Sequence, residues 1–164
     1  MGLDLYPSPY PCRGKRPTLL GSKKIDARDY EATECAFRDG DHPTEPCEAH
    51  CWFKGEILVR ELEAINERKL AKRCFADLSA RKAGKFGKKL LDLAWKLRER
   101  YRGMPPFDKP PCFTERVSFF DEKNGVWTLR PYTTTLERVV DILEKGGRWY
   151  RKASSLGSGV VAWH

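Results

Sequence analysis

The chain has 164 residues and a formal net charge of +8, and 40% of its residues are hydrophobic. This length fits one domain with extended segments, and the hydrophobic content is sufficient for a packed core, which argues against a chain that is disordered throughout. No stretch approaches the roughly 18 apolar residues of a membrane-spanning helix, so we expect no integral membrane span.

Residues 1–25 are predicted to form an extended, proline-rich arm. The prolines of this stretch are Pro7, Pro9, Pro11 and Pro17. Proline fixes φ and donates no backbone hydrogen bond, so this density of prolines favours polyproline-like geometry over a helix. The remaining residues, 26–164, are predicted to form a single domain.

A cysteine- and histidine-rich loop is predicted over residues 35–51. Thiolate and imidazole are ligands that zinc prefers, and four of them close a tetrahedral site. The candidate ligands of a structural zinc are Cys35, His42, Cys47 and Cys51. Their spacing lacks the C-x2-C pair that is common in zinc fingers, so two alternatives stay open. The six cysteines of the chain either pair as disulfides in an oxidising compartment or remain thiols in a reducing one. The predicted cofactor is therefore none or one zinc ion.

A helix-rich region is predicted over residues 54–102, in two parts. In the first part the apolar positions change side, so that Leu62 and Leu78 lie on nearly opposite faces of a continuous helix. The change falls across the polar run at residues 66–69. It predicts either two helices that meet there or one long helix with different partners along its length.

The second part, residues 85–101, is predicted to be one amphipathic helix that ends before Gly103. Its apolar stripe comprises Phe86, Leu90, Leu93, Ala94, Leu97 and Tyr101. Basic residues cover the remaining circumference, and residues 67–102 carry a net charge of +9 whereas residues 26–66 carry −7.

This charge distribution has three interpretations. The basic face is solvated or packed on the acidic segment, or it contacts phosphates, or it binds an acidic protein. The predicted contact residues for nucleic acid or an acidic partner are Lys85, Lys88, Lys89, Lys96, Arg98, Arg100, Arg102, Arg151 and Lys152.

A stiff proline spacer over residues 104–111 is followed by a predicted hairpin and helix over residues 115–146. Asn124-Gly125 between two β-favouring runs is a strong hairpin signal, because both turn residues tolerate positive φ. Thr134 or Thr135 is predicted to cap the helix that follows.

The helix is predicted to end at Gly146-Gly147, which leaves residues 147–164 as a C-terminal tail. In this tail Trp149-Tyr150 is predicted to form a short strand, and the apolar terminus is predicted to dock on the fold. The fold class is therefore α+β, with central helices, a C-terminal antiparallel hairpin plus helix, and an extended N-terminal arm.

The sequence contains no nucleophile elbow, zinc-protease motif or phosphate-binding loop, so we expect a protein that is not an enzyme. The main hypothesis is an accessory or scaffold subunit that docks onto the protein subunits of a larger assembly, such as a ribonucleoprotein, a respiratory complex or a virion. One alternative is a sequence-independent nucleic-acid-binding protein that contacts RNA or DNA phosphates through the basic helix over residues 81–102. Another is a small enzyme with no recognisable motif.

The first residues lack the basic and apolar regions of a secretory signal. We therefore expect an intracellular location, either cytoplasmic or organellar, with mitochondria among the organelles considered.

Overall fold

The structure is a computed structural model that describes residues 3–8, 53–102, 111–121 and 123–163 of the chain. Within these ranges four helices accompany five strands, and every strand pair is antiparallel, so the predicted α+β class is confirmed. In chain order the elements are β1 (Asp4–Ser8), β2 (Phe53–Lys54), α1 (Gly55–Ala64), α2 (Arg68–Arg73), α3 (Ala80–Tyr101), β3 (Cys112–Asp121), β4 (Val126–Thr135), α4 (Leu136–Ser155) and β5 (Gly159–Trp163).

The first strand, β1, is the central strand of a three-stranded sheet with β2 and β5 as its neighbours. Leu3, Leu5 and Pro7 are buried, and the alternating residues Asp4, Tyr6 and Ser8 are in part exposed. Pro7 cannot donate a ladder hydrogen bond, and it falls where β1 pairs with β5 alone. The start of the predicted arm is therefore extended, as expected, but it belongs to the folded domain. Residues 9–25 lie outside the described residues.

The C-terminal strand, β5, pairs with β1 along its whole length, so the apolar terminus docks on the fold as expected. At its other edge the backbone N–H of Leu78 donates to the carbonyl of Val160 at 2.8 Å, and the N–H of Val160 donates back at 2.7 Å. This bridge ties the segment before α3 to the sheet.

The change of apolar face in the first helical part corresponds to two helices, α1 and α2. The chain turns between them at Asn66, whose φ of 65° is a left-handed conformation that asparagine adopts more readily than most residues. The backbone N–H of Glu67 closes the turn by donating to the carbonyl of Leu62 at 2.8 Å. The interpretation as two helices is therefore the correct one.

The predicted amphipathic helix is α3, and it begins at Ala80 rather than Lys85. Four residues of the predicted stripe are buried and two are partly buried, which confirms the stripe; they are Phe86, Leu90, Ala94 and Leu97, and Leu93 and Tyr101. The helix ends at Tyr101. Residues 103–110, which contain most of the predicted spacer, lie outside the described residues.

The strands β3 and β4 form the predicted hairpin and pair along their whole length. Gly125 in the turn has φ of 66°, whereas Asn124 does not have positive φ, so one of the two turn residues adopts the conformation that the prediction invokes. The hairpin is held on α1 because the carboxylate of Glu63 accepts hydrogen bonds from the backbone N–H of Ser118 at 2.6 Å and from its hydroxyl at 3.0 Å.

The last helix, α4, corrects two predictions about the C-terminal part of the chain. It begins as expected after Thr135, whose side chain accepts a hydrogen bond from a backbone N–H of the first turn. It then continues through Gly146-Gly147 to Ser155, so the predicted helix end is wrong. Trp149-Tyr150 lies in the helix and not in a strand, and both side chains are buried. Packing against α3 here overrides the weak helix propensity of glycine.

Glycines explain this packing, because they let α3 and α4 approach closely. A Cβ atom on Gly87 would lie 2.6 Å from the carbonyl oxygen of Gly147, and one on Gly147 would lie 2.7 Å from Cγ of Leu91. Beside this crossing the rings of Phe86 and Tyr150 meet edge to face, with centroids 4.8 Å apart. Neither of these helices, nor any other helix in the described ranges, is long and apolar enough to cross a membrane.

Candidate functional site

A groove runs between the N-terminal half of α3 and the C-terminal half of α4. At its floor the helices nearly touch, since a Cβ on Gly84 would lie 2.5 Å from the hydroxyl oxygen of Ser154. The groove has a volume of about 550 Å³ and is lined by Arg81, Gly84, Lys85, Lys88, Leu91, Asp92, Arg151 and Ser154. The floor therefore consists of small residues and the walls of longer, mostly charged side chains.

The groove brings together three predicted contact residues that are far apart in the sequence. Lys85 and Lys88 come from α3 and Arg151 comes from α4, and all three are exposed. With Arg81 they give four cations against one carboxylate, that of Asp92. Among the residues that the structure describes, none of the four cations takes part in an ion pair. Within the described ranges, therefore, no ion pair neutralises their charge.

The start of α3 carries cations where they do not stabilise the helix. Arg81 and Lys82 lie in the first turn, which contains no acidic residue, and Ser79 makes no side-chain capping hydrogen bond. The positive end of the helix dipole favours anions at this place, and a cation costs about 0.3–1 kcal/mol. Helix stability therefore does not account for these side chains, whereas an anion in the groove would interact favourably with Arg81, which lines it, and with the helix dipole.

Two other predicted contact residues, Lys96 and Arg100, line a second cavity near the C-terminal end of α3. Its volume is about 590 Å³, and its walls include the α1–α2 turn and the first residues of β3. Glu67 and Glu115 line it as well, and Glu115 lies 3.8 Å from the guanidinium of Arg68. Because its charges are mixed, this cavity attracts anions less than the groove does.

The remaining predicted contact residues belong to neither cavity. Arg98 forms an ion pair with a glutamate of α4 at 2.9 Å, and Arg102 forms one with a glutamate of α3 at 3.2 Å. Lys89 and Lys152 are exposed on α3 and α4. The structure therefore divides the predicted basic set, and only the part in the groove is concentrated.

The structure describes only residues 53–66 of the acidic segment, residues 26–66, on which the basic helix is expected to pack in one interpretation. Within residues 53–66, the carboxylates of Glu56, Glu61 and Glu63 accept hydrogen bonds from α1, the hairpin and α4. Residues 26–52 lie outside the described residues, so packing of α3 on them stays a prediction.

The sequence-based set leaves out Arg81 and Trp95, which are both exposed on α3. Arg81 begins the basic region over residues 81–102, but it precedes the predicted amphipathic helix over residues 85–101 and is not among the predicted contact residues. Trp95 is 62% exposed, the largest exposure among the large hydrophobic side chains that the structure describes. Helical periodicity alone indicates that Trp95 is exposed, because this position lies almost opposite the apolar stripe, on the same side as Lys88 and Asp92.

A buried carboxylate joins α1, the hairpin and α4. Oε1 of the fully buried Glu61 accepts hydrogen bonds from the hydroxyl of Tyr132 at 2.6 Å and from Nε of Arg138 at 2.9 Å. Burial, and then the hydrogen bond to Glu61, raise the pKa of Tyr132. The hydrogen bond to Glu61 raises the pKa of Arg138. Neither Tyr132 nor Arg138 titrates near neutral pH, so the cluster acts as a structural ion pair.

Cys74 and Tyr150 lie next to each other in the core. Burial raises the pKa of both side chains well above their ordinary values, so both are neutral at physiological pH. Because the thiolate is the reactive form of cysteine, Cys74 behaves as a small hydrophobic residue and not as a nucleophile.

The four predicted zinc ligands, Cys35, His42, Cys47 and Cys51, lie outside the described residues. The zinc site therefore stays a prediction, and so do its two alternatives, disulfides and free thiols in this loop. In the part of the chain that the structure describes, no three cysteine, histidine, aspartate or glutamate side chains converge as metal ligands would.

Comparisons of the chain with protein-family models, with curated proteins and with solved structures give no match. The α3–α4 groove is the place where one kind of chemistry, positive charge without ion-pair partners among the described residues, is most concentrated.

Proposed function

We propose that this protein binds the phosphate backbone of nucleic acid through the α3–α4 groove, without reading base sequence. The observation that carries this proposal is the convergence of four exposed cations from two helices in one groove. Lysine and arginine side chains contact phosphates whatever the base sequence, and such contacts supply most of non-specific nucleic-acid affinity.

The spacing of the cations along α3 suits an extended, repeating ligand. Arg81, Lys85 and Lys88 lie on one side of the helix and span about 10 Å along its axis. Arg151 faces them from α4 across a floor of small residues, so a chain of phosphates meets cations on both walls. A polymer with regularly spaced negative charges fits this row better than a single small anion does.

Reversing the charge of Lys85 and Lys88 is expected to weaken binding to a labelled oligonucleotide at least about tenfold at low salt. The double variant Lys85→Glu, Lys88→Glu places two carboxylates on the same wall as Asp92, so phosphate is repelled where it was held. Fluorescence anisotropy of a labelled oligonucleotide measures the effect.

The matched control is Lys69→Glu, Lys72→Glu on α2. These lysines are also exposed and three residues apart on a helix, so the change in net charge is the same. The control should bind within about twofold of the natural chain if the groove is the site. Equal losses in the two double variants would mean that net charge and not the groove governs binding.

A second candidate is the accessory subunit of a larger assembly. The observation that favours it is the exposure of Val126 and Leu129 on β4, at 50% and 59%. The two residues are three positions apart in a strand and therefore lie on opposite faces of the hairpin, so each face offers an apolar side chain to another protein. Other protein subunits are the partners that this proposal implies.

The double variant Val126→Lys, Leu129→Lys tests this second candidate. If the protein belongs to an assembly through its hairpin, the natural chain in a native extract should sediment as a large particle after nuclease treatment, and the variant should sediment near its own mass. A particle that disappears on nuclease treatment alone would contradict protein docking and would agree with the nucleic-acid proposal.

A further inference from the structure

Trp95 is exposed on α3 although nothing in the described fold requires a tryptophan there. Its side chain is 62% exposed, and within the described ranges its ring stacks on no other aromatic ring. A large apolar ring in water contributes little to folding, and its exposed face can contact a ligand.

The position of Trp95 relates it to the groove. It lies seven residues, about 10 Å along the helix axis, beyond Lys88 on the same side of α3. Asp92, at the end of the groove, lies between the two. A carboxylate disfavours a phosphate at that point. A nucleic-acid chain that leaves the cations therefore meets the indole where a base, and not a phosphate, is the favourable contact.

We propose that the α3–α4 groove takes single-stranded nucleic acid, and that Trp95 stacks on one of its bases. This inference rests on the proposed function, because it names the form of nucleic acid that the same groove binds. In a duplex the bases are stacked on one another and their faces are covered. In a single strand a base face is accessible, and stacking on an aromatic side chain is favourable for every base, which agrees with binding that does not read sequence.

The test compares a labelled single strand with its duplex of the same length, using the full chain and Trp95→Ala. We expect the natural chain to bind the single strand more tightly than the duplex. Trp95→Ala should weaken single-strand binding about 5- to 150-fold, the range for loss of one base–aromatic stack, and leave duplex binding unchanged. Trp95→Phe, which retains a ring, should retain most of the affinity. Its circular dichroism spectrum and melting temperature, like those of Trp95→Ala, should match the natural chain because the side chain is exposed.

A fluorescence readout isolates this ring from the other four tryptophans of the chain. The indole emission lost on adding unlabelled single strand should be larger in the natural chain than in Trp95→Phe by the contribution of one quenched ring. Equal quenching in the two proteins would overturn stacking at Trp95.

The outcomes separate the two proposals. Suppose that Lys85→Glu, Lys88→Glu abolishes binding, but that Trp95→Ala leaves the affinities for single strand and duplex unchanged or lowers both by the same factor. Stacking on Trp95 is then overturned, and the phosphate-binding groove stands. A duplex that binds more tightly than the single strand overturns it as well. If the natural chain binds neither form, both proposals fail.

Discussion

Replacing Gly87 by alanine is expected to lower the free energy of unfolding by about 3 kcal/mol and the melting temperature by about 6–12 °C. The new Cβ would lie 2.6 Å from the carbonyl oxygen of Gly147 and 2.9 Å from Cβ of Tyr150. A helix carbonyl cannot rotate away without breaking its own hydrogen bond, so α3 and α4 would have to move apart. The gain of about 1 kcal/mol in helix propensity does not offset this.

The matched control for Gly87→Ala is Gly146→Ala, in the other helix of the same pair. A Cβ on Gly146 would lie 3.2 Å from Cδ2 of Leu58, the end of a side chain that can shift by a few tenths of an ångström. Its stability should therefore change by less than about 1 kcal/mol in either direction. Thermal or urea unfolding of both variants measures the difference, and equal melting temperatures would contradict a crossing of α3 and α4 at Gly87.

The second large effect is expected at the buried ion pair between α1 and α4. Arg138→Met should lower the free energy of unfolding by about 3 kcal/mol, because Glu61 would keep a buried charge with the Tyr132 hydroxyl as its one remaining partner among the described residues. This value lies at the lower end for a broken buried pair, since the side chain of Arg138 is itself 56% exposed and water can enter its place. Urea unfolding at neutral pH measures it.

Arg148→Met provides the control on the same helix. Arg148 pairs with Glu144 at 3.4 Å, one turn away on the surface of α4, and such exposed pairs contribute about 0.5 kcal/mol. The double variant Glu61→Leu, Arg138→Met should recover most of the lost stability, because removing both partners leaves no unpaired charge. If Arg138→Met costs no more than Arg148→Met, the cluster around Glu61 does not hold α4 on α1.

The elements that sequence predicts well are those whose signals are local. The stripe of α3 is visible as apolar residues at helical spacing, and the hairpin is visible because Asn124-Gly125 tolerates positive φ. The change of face between Leu62 and Leu78 indicates a break, and the structure places one at Asn66.

The elements that sequence predicts poorly depend on a distant partner. Gly146-Gly147 has the appearance of a helix end, and only the contact of Gly147 with Gly87, in another helix, shows why glycine is needed inside α4. The strand β1 also depends on a distant partner, because its pairing with β5 joins the two ends of the described chain. Pro7 fits in this strand because it lies where β1 has β5 as its single neighbour.

The candidate site is predictable in its parts and not in its assembly. Lys85, Lys88 and Arg151 are recognisable as basic residues of helices or their neighbourhood, but a hairpin separates α3 from α4 in the sequence. These three side chains therefore come together only in the tertiary structure. Trp95 is different, because its place opposite the apolar stripe is a local signal that helical periodicity alone reveals.

The salt dependence of oligonucleotide binding tests the central claim most directly. If the four cations of the groove hold phosphates, a plot of log affinity against log salt concentration should have a slope of about −3 for the natural chain. Lys85→Glu, Lys88→Glu should reduce the magnitude of that slope by about 1.5, the share of two of the four cations, whereas Lys69→Glu, Lys72→Glu should leave it unchanged. Binding that does not respond to salt, or slopes that are the same in all three proteins, would contradict a phosphate-binding groove between α3 and α4.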